Sequence, residues 1–80
     1  MTEHRNALRM RRLKEARVVF NGRKSLMSCI MRDATDFGAK LVIGEPYLVP
    51  DEFELQVAGS PTRPARKVWM SQNQMGIKYL

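Results

Sequence analysis

The chain has 80 residues, of which 44% are hydrophobic, and a formal net charge of +6 at pH 7. This length makes one small domain, monomeric by default, and the apolar content argues against wholesale disorder. A single cysteine excludes an intramolecular disulfide, and no apolar run approaches the roughly 20 residues of a membrane-spanning helix. The amino terminus lacks the apolar segment of a signal peptide, so we expect a reduced, cytoplasmic protein without membrane insertion.

The positive charge is concentrated at the amino terminus. Residues 1–24 contain eight Lys or Arg and two Glu, which leaves +6, whereas residues 25–80 contain six residues of each sign. This asymmetry predicts an anionic partner, such as a nucleotide, a nucleic acid, a membrane surface or an acidic protein. A solvated basic tail that only aids solubility would show the same charge. Residues 1–13 have a loose apolar spacing, so we expect a flexible basic arm there and a folded domain over residues 14–80.

Alternation with period two begins after the arm and predicts β-strands. A first strand over residues 16–20 is followed by the turn pair Asn21 and Gly22, which both accept positive φ. A second strand over residues 25–32 is apolar on both faces, which is typical of a central strand. After an interruption at residues 33–37, a third strand runs to residue 43.

The second half of the chain repeats this pattern. Prolines bracket a loop over residues 44–50, and residues 53–57 form the clearest half-buried strand. Turn residues occupy 59–64, and two final strands are expected at about 66–70 and 75–79. Six short strands with tight connections favour antiparallel pairing, and a closed sheet has no exposed edge. We therefore predict an all-β fold, a six-stranded antiparallel β-barrel.

The residue types offer little for catalysis. His4 is the only histidine, and one Cys with one His cannot form a structural zinc site. Cys29 lies in an apolar strand, where a free cysteine usually behaves as a small buried hydrophobe. No phosphate-binding glycine loop or dinucleotide fingerprint is present. We predict that the protein is not an enzyme and needs no metal or cofactor.

Two arginines four residues apart, Arg5 and Arg9, are candidate ligand-binding residues. Each guanidinium can bind a phosphate bidentately, bond the O6/N7 edge of a guanine or stack on its face. The spacing alone is weak evidence, because five arginines lie between positions 5 and 17.

The segment 33–38, Asp-Ala-Thr-Asp-Phe-Gly, admits two interpretations. In an ordinary turn, the side chains of Asp33 and Thr35 bond nearby backbone amides, and Gly38 supplies an unusual backbone angle. In a binding segment, an exposed Asp33 carboxylate accepts from guanine N1–H and N2–H, and the Thr35 hydroxyl donates to a carbonyl or phosphate oxygen.

Trp69, on the predicted fifth strand, is the third candidate. Core packing is the usual role of a lone tryptophan. Facing outward, its ring could instead stack on a base, an interaction that contributes about 1–3 kcal/mol.

These residues together resemble a stand-alone PilZ domain. The family's amino-terminal Arg-x-x-x-Arg motif falls on Arg5 and Arg9. Its second motif, Asp or Asn, any residue, Ser, two residues and Gly, falls on Asp33, Thr35 and Gly38. The resemblance covers about residues 5–80, and its main departure is threonine at position 35, where the family usually has serine.

The PilZ resemblance implies a fold, a ligand and a mechanism. The fold is the six-stranded antiparallel barrel, and the ligand is cyclic di-GMP, held by the arm against the barrel surface. Ligand-induced ordering of the arm would then signal to a downstream protein partner that controls motility, biofilm formation or surface behaviour. Two alternatives stay open: a nucleic-acid-binding small barrel, and a PilZ-like interaction module that has lost ligand binding.

Overall fold

The computed structural model describes residues 13–80. It contains six strands and one 3-10 helix, and their bounds are β1 Lys14–Phe20, β2 Ser25–Arg32, β3 Gly38–Val42, the 3-10 helix Pro46–Leu48, β4 Glu52–Val57, β5 Arg63–Met70 and β6 Gln74–Tyr79. The predicted amino-terminal arm, except for its last residue, lies outside the described residues, and so do Arg5 and Arg9. Within residues 13–80, no helix has the length and apolar character needed to cross a membrane.

The strands close into a barrel in the order β1-β2-β3-β6-β5-β4, and every pairing is antiparallel. The predicted fold class is therefore confirmed. The barrel consists of two three-stranded meanders, β1-β2-β3 and β4-β5-β6, which meet along two seams. One seam joins β3 to β6 over five residue pairs, and the other joins β1 to β4 over four.

Local sequence explains most of the element boundaries. Asn21, Gly22 and Arg23 have φ of 58°, 65° and 70°, and the Lys24 amide donates to the carbonyl of Asn21 at 3.1 Å. This is the turn that the Asn-Gly pair predicted. β5 begins three residues earlier than expected, at Arg63, and includes Pro64. Pro64 lacks an amide hydrogen, but its carbonyl accepts from Leu80 at 3.0 Å, so it still contributes to pairing.

The barrel interior is filled by inward-facing side chains of all six strands and by Ile43 and Val49 from the connection between β3 and β4. The buried cluster consists of Ala16, Val18, Cys29, Met31, Leu41, Ile43, Val49, Phe53, Leu55, Ala65, Met75 and Ile77. No polar or charged side chain of the described residues is buried among them. The period-two pattern is visible in β4, where Phe53 and Leu55 are buried and Glu54 between them is only half-buried.

Gly38 is required at the β3–β6 seam by close backbone approach. A Cβ placed on Gly38 would lie 2.1 Å from the carbonyl oxygen of Ile77 and 3.1 Å from the Cα of Lys78. These are backbone atoms of β6, so they cannot move aside as a flexible side chain would. Any side chain at this position would push the two meanders apart.

Replacing Gly38 with alanine should therefore destabilise the barrel. We expect Gly38→Ala to lower the free energy of unfolding by about 1–3 kcal/mol, the usual cost of overpacking. Gly44→Ala is the matched control, because a Cβ there meets no atom within 4 Å. Urea unfolding followed by circular dichroism measures both variants, and equal stability of the two would contradict this account of the seam.

Burial also determines the titration of Cys29. Desolvation raises the pKa of its thiol from 9.0 to about 11. Between these pH values the unfolded chain loses the thiol proton and the folded chain keeps it, so the unfolded state binds fewer protons and stability falls as pH rises. At 1.4 kcal/mol per pKa unit, the loss from this group amounts to about 2–3 kcal/mol.

Comparison with Cys29→Ala isolates this effect from other groups that titrate in alkali. We expect the wild-type protein to lose about 2–3 kcal/mol more than the variant between pH 8 and 11. Urea unfolding across that range measures the difference. Parallel stability curves for the two proteins would show that burial does not hold the thiol protonated.

Candidate binding face

Four residues align across the outer surface of β2, β3, β6 and β5. Arg32 pairs with Lys40, Lys40 with Gly76, and Gly76 with Trp69. Directly paired residues of antiparallel strands project to the same face of the sheet. The neighbour of Lys40 along the chain, Leu41, is buried in the core, so Lys40 and its partners face outward. We refer to these four residues as the cross-strand row; at about 4.8 Å between strands it is roughly 14 Å long.

At one end of the row, the indole of Trp69 lies directly on Gly76. A Cβ placed on Gly76 would fall 2.1 Å from Nε1 of the indole and 2.4 Å from Cε2. The glycine thus leaves a flat seat for the ring, which stays 45% exposed. The expectation that a lone tryptophan packs in the core is wrong here. A bulge in β5 between Lys67 and Trp69 shifts the alternation, and the glycine opposite accommodates the ring outside the barrel.

At the other end of the row, the turn between β2 and β3 holds the Asp33–Gly38 segment. The Thr35 hydroxyl accepts from the amides of Phe37 at 3.1 Å and Gly38 at 3.3 Å, and the Thr35 amide donates to the Gly38 carbonyl at 2.8 Å. The predicted turn role of Thr35 is confirmed. The same hydroxyl donates to the Gly38 carbonyl at 3.4 Å, so both its oxygen and its proton take part in the turn.

The roles predicted for Asp33 and Gly38 in that turn need correction. Asp33 itself has the positive φ, 51°, while Gly38 has none and is required by its contact with β6. Aspartate tolerates this left-handed conformation better than most residues. Its carboxylate does not bond a nearby amide within the described residues; Oδ2 instead lies 3.5 Å from Nζ of Lys40.

The fold brings four of the six predicted site residues to one side of the barrel. Asp33, Thr35 and Gly38 share the turn, and Trp69 joins them through Lys40 and Gly76 of the cross-strand row. Arg5 and Arg9, the other two, lie outside the described residues. Sequence reasoning missed Arg32, Lys40 and Gly76. The alternation of β3, with Ala39 and Leu41 inward, could have placed Lys40 outside.

The electrostatics of this face are positive. Its outward residues include Arg32, Lys40 and Lys78, of which Lys78 is paired with Gly38 and Arg66 across the sheet. Two acids of the Asp33–Gly38 turn lie beside them: Asp33, which is exposed and paired with Lys40, and Asp36, which is also exposed, so three cations outnumber two carboxylates. A cationic strip with an aromatic ring at one end suits an anionic ligand that contains planar rings.

A separate groove of about 810 Å³ lies on the β4-β1-β2 side of the barrel. Among its lining residues are Glu15, Arg17, Ser28, Ile30 and Gln56, and none of the predicted site residues of the described region lines it. Within residues 13–80, no three His, Cys, Asp or Glu side chains converge as metal ligands would. Comparisons of the chain with protein-family models, with curated proteins and with solved structures gave no match.

The packing of the Trp69 indole on Gly76 can be tested by adding a side chain at position 76. In Gly76→Ala the new methyl group occupies the position of the indole, so the ring must move into solvent. We expect a red shift of the fluorescence of this single tryptophan and stronger quenching by acrylamide, with Gly44→Ala unchanged as the control. An unaltered spectrum in Gly76→Ala would show that the ring does not lie on Gly76.

Proposed function

We propose that this protein is a PilZ-type receptor for cyclic di-GMP. The observation that carries the proposal is the convergence of the Asp33–Gly38 turn, Lys40 and the seated Trp69 on one basic face of a closed six-stranded barrel. A cyclic dinucleotide presents two phosphates and two guanines. The face supplies groups that suit each of them.

The turn provides the groups that would recognise a guanine. The Asp33 carboxylate is 58% exposed, so it can accept from guanine N1–H and N2–H. Lys40 balances its charge in the free protein. When a guanine edge forms hydrogen bonds to the Asp33 carboxylate, the ammonium of Lys40 becomes available to bind a phosphate. The Thr35 hydroxyl can exchange its 3.4 Å bond to the Gly38 carbonyl for a carbonyl or phosphate oxygen of the same nucleotide.

Trp69 provides the stacking surface. One side of its ring is covered by Gly76, and the exposed side can pack against a base, which contributes about 1–3 kcal/mol. Because the glycine seat fixes the ring before a ligand arrives, little side-chain entropy is lost on binding.

Arg5 and Arg9 complete the site in this proposal. Charge-assisted hydrogen bonds from their guanidinium groups contribute about 1.5–3 kcal/mol each, which offsets an ordering cost of about 2–5 kcal/mol for the arm. Ligand-induced ordering of the arm then changes the surface presented to a protein partner, through which motility, biofilm formation or surface behaviour would be regulated.

Calorimetric titration with cyclic di-GMP at about 0.15 M salt tests the proposal. We expect saturable binding, weakened about ten- to a hundredfold in Arg9→Ala and by a similar factor in Trp69→Ala. Arg17→Ala is the matched control, because it removes the same charge from the groove on the other side of the barrel. Equal loss in Arg9→Ala and Arg17→Ala would mean that only net charge matters, and full affinity in Trp69→Ala would exclude stacking on the indole.

Single-stranded DNA in the same titration tests the nucleic-acid alternative. An exposed tryptophan on a basic face also suits bases of a single strand, so this alternative has a structural basis. Phosphate-tracking binding loses orders of magnitude in affinity between low and moderate salt, whereas a ligand with two phosphates is far less sensitive. Absence of binding by either ligand would favour a PilZ-like module that only binds a protein.

A further inference from the structure

Exposed apolar side chains are concentrated in two segments of the described chain. Five of its nine exposed large hydrophobic residues lie either in the 3-10 helix or at the end of β5. We call these five the apolar patch: Tyr47, Leu48, Val68, Trp69 and Met70. Their exposed fractions range from 45% to 63%.

Lys67 holds the two segments of the patch together. Its ammonium donates at 3.2 Å to the carbonyl of Pro46, the first residue of the 3-10 helix, and at 2.6 Å to that of Val49, which follows the helix. Its amide donates to the carbonyl of Asp51 at 2.8 Å, and Sδ of Met70 lies 4.0 Å from Nζ. The 3-10 helix is therefore anchored beside the end of β5, which brings the exposed residues of the two segments close to one another.

The β5 bulge creates the strand half of this patch. Lys67 pairs with Ile77 and Trp69 pairs with Gly76, so Val68 is the additional residue between two consecutive pairs. In a regular strand, one of two successive side chains would face the core. Here three successive apolar side chains remain exposed, so the protein lacks the stabilisation that burying each of them would contribute. Contiguous exposed apolar surface of this kind marks interaction sites on soluble proteins.

The charge beside the patch indicates what kind of partner fits it. Residues 41–62 contain four acidic residues and no Lys or Arg. Two of the acids are paired, Glu52 with Arg66 and Glu54 with Arg23. The other two, Glu45 and Asp51, flank the 3-10 helix, are exposed, and form no ion pair among residues 13–80. The 3-10 helix half of the patch thus has an acidic rim on a protein whose net charge is +6, whereas its β5 half follows Arg66 and Lys67.

We propose that the apolar patch is a docking surface for an amphipathic segment of a partner protein that carries Lys or Arg beside its apolar side chains. The apolar side chains of the segment cover Tyr47, Leu48, Val68 and Met70, and its cations meet Glu45 and Asp51. This surface rests on the contacts of the described residues and does not depend on the proposed nucleotide ligand.

Two model peptides test the docking surface directly. They share the leucine spacing of an amphipathic helix and differ in having lysine or glutamate at every polar position. Each is titrated into the isotope-labelled full chain at about 0.15 M salt, and amide chemical shifts are followed by NMR. We expect the lysine peptide to shift the amides of the patch and the indole N–H of Trp69, and the glutamate peptide to leave them unchanged.

The net charge of the protein opposes the expected preference for the lysine peptide. Long-range attraction to a protein of charge +6 favours the glutamate peptide, so a preference of the patch for the lysine peptide must arise from its local acidic rim. Replacing both acids, Glu45→Lys with Asp51→Lys, should reverse that preference at the patch.

Two leucines of equal exposure provide the matched variants. Leu48 in the patch and Leu26 on β2 are each 53% exposed. Leu48→Ser should weaken the lysine peptide about tenfold, and Leu26→Ser should leave its affinity unchanged. Equal binding of both peptides at the patch, shifts centred on Leu26 or Phe37, no binding of the lysine peptide, or self-association of the chain through the patch would each overturn the proposal.

Discussion

The seam between β3 and β6 is the contact on which both the barrel and its candidate site depend. Each meander forms from consecutive hairpins, and their joining requires pairings between distant parts of the chain. Such pairings must offset loop-closure entropy before they stabilise the fold. The seam achieves this with five residue pairs and with a glycine that lets the two backbones approach closely. Without Gly38, the meanders could not reach this distance.

The candidate binding face exists only where the two meanders meet. Asp33 and Lys40 come from the first meander, and Gly76 and Trp69 come from the second. The pair Lys40–Gly76 lies within the seam itself, so the site is assembled by the same contact that closes the barrel. Any change that loosens the seam separates the turn from the tryptophan, so the proposed ligand binding would depend on the stability of the barrel. Trp69 also belongs to the apolar patch, so the candidate binding face and the proposed docking surface adjoin at one side chain.

Two departures from regular β-structure explain where function is proposed. The bulge in β5 and the left-handed Asp33 each interrupt the alternation of a strand or the path of a turn. Both leave polar or aromatic side chains at the surface in positions that a regular strand or turn would not give them. Bulges of this kind commonly re-aim side chains near functional sites, and here the bulge exposes Val68 and Trp69 together.

The sequence by itself determined the six strands, the Asn21–Gly22 turn and the antiparallel barrel, and it offered the turn role of Thr35 as one of two interpretations. Period-two alternation and turn residues are local signals, so they could be interpreted without knowledge of the fold. Tertiary structure decided the rest. Whether Trp69 faces inward depends on the bulge in β5 and on Gly76 of the neighbouring strand β6. Whether Gly38 is needed for its φ or for its lack of a side chain depends on the distance between its backbone and β6. The pairing of Asp33 with Lys40 likewise follows from the course of the β2–β3 turn. These features depend on which strands become neighbours and in which register, and residue spacing along one strand does not contain that information.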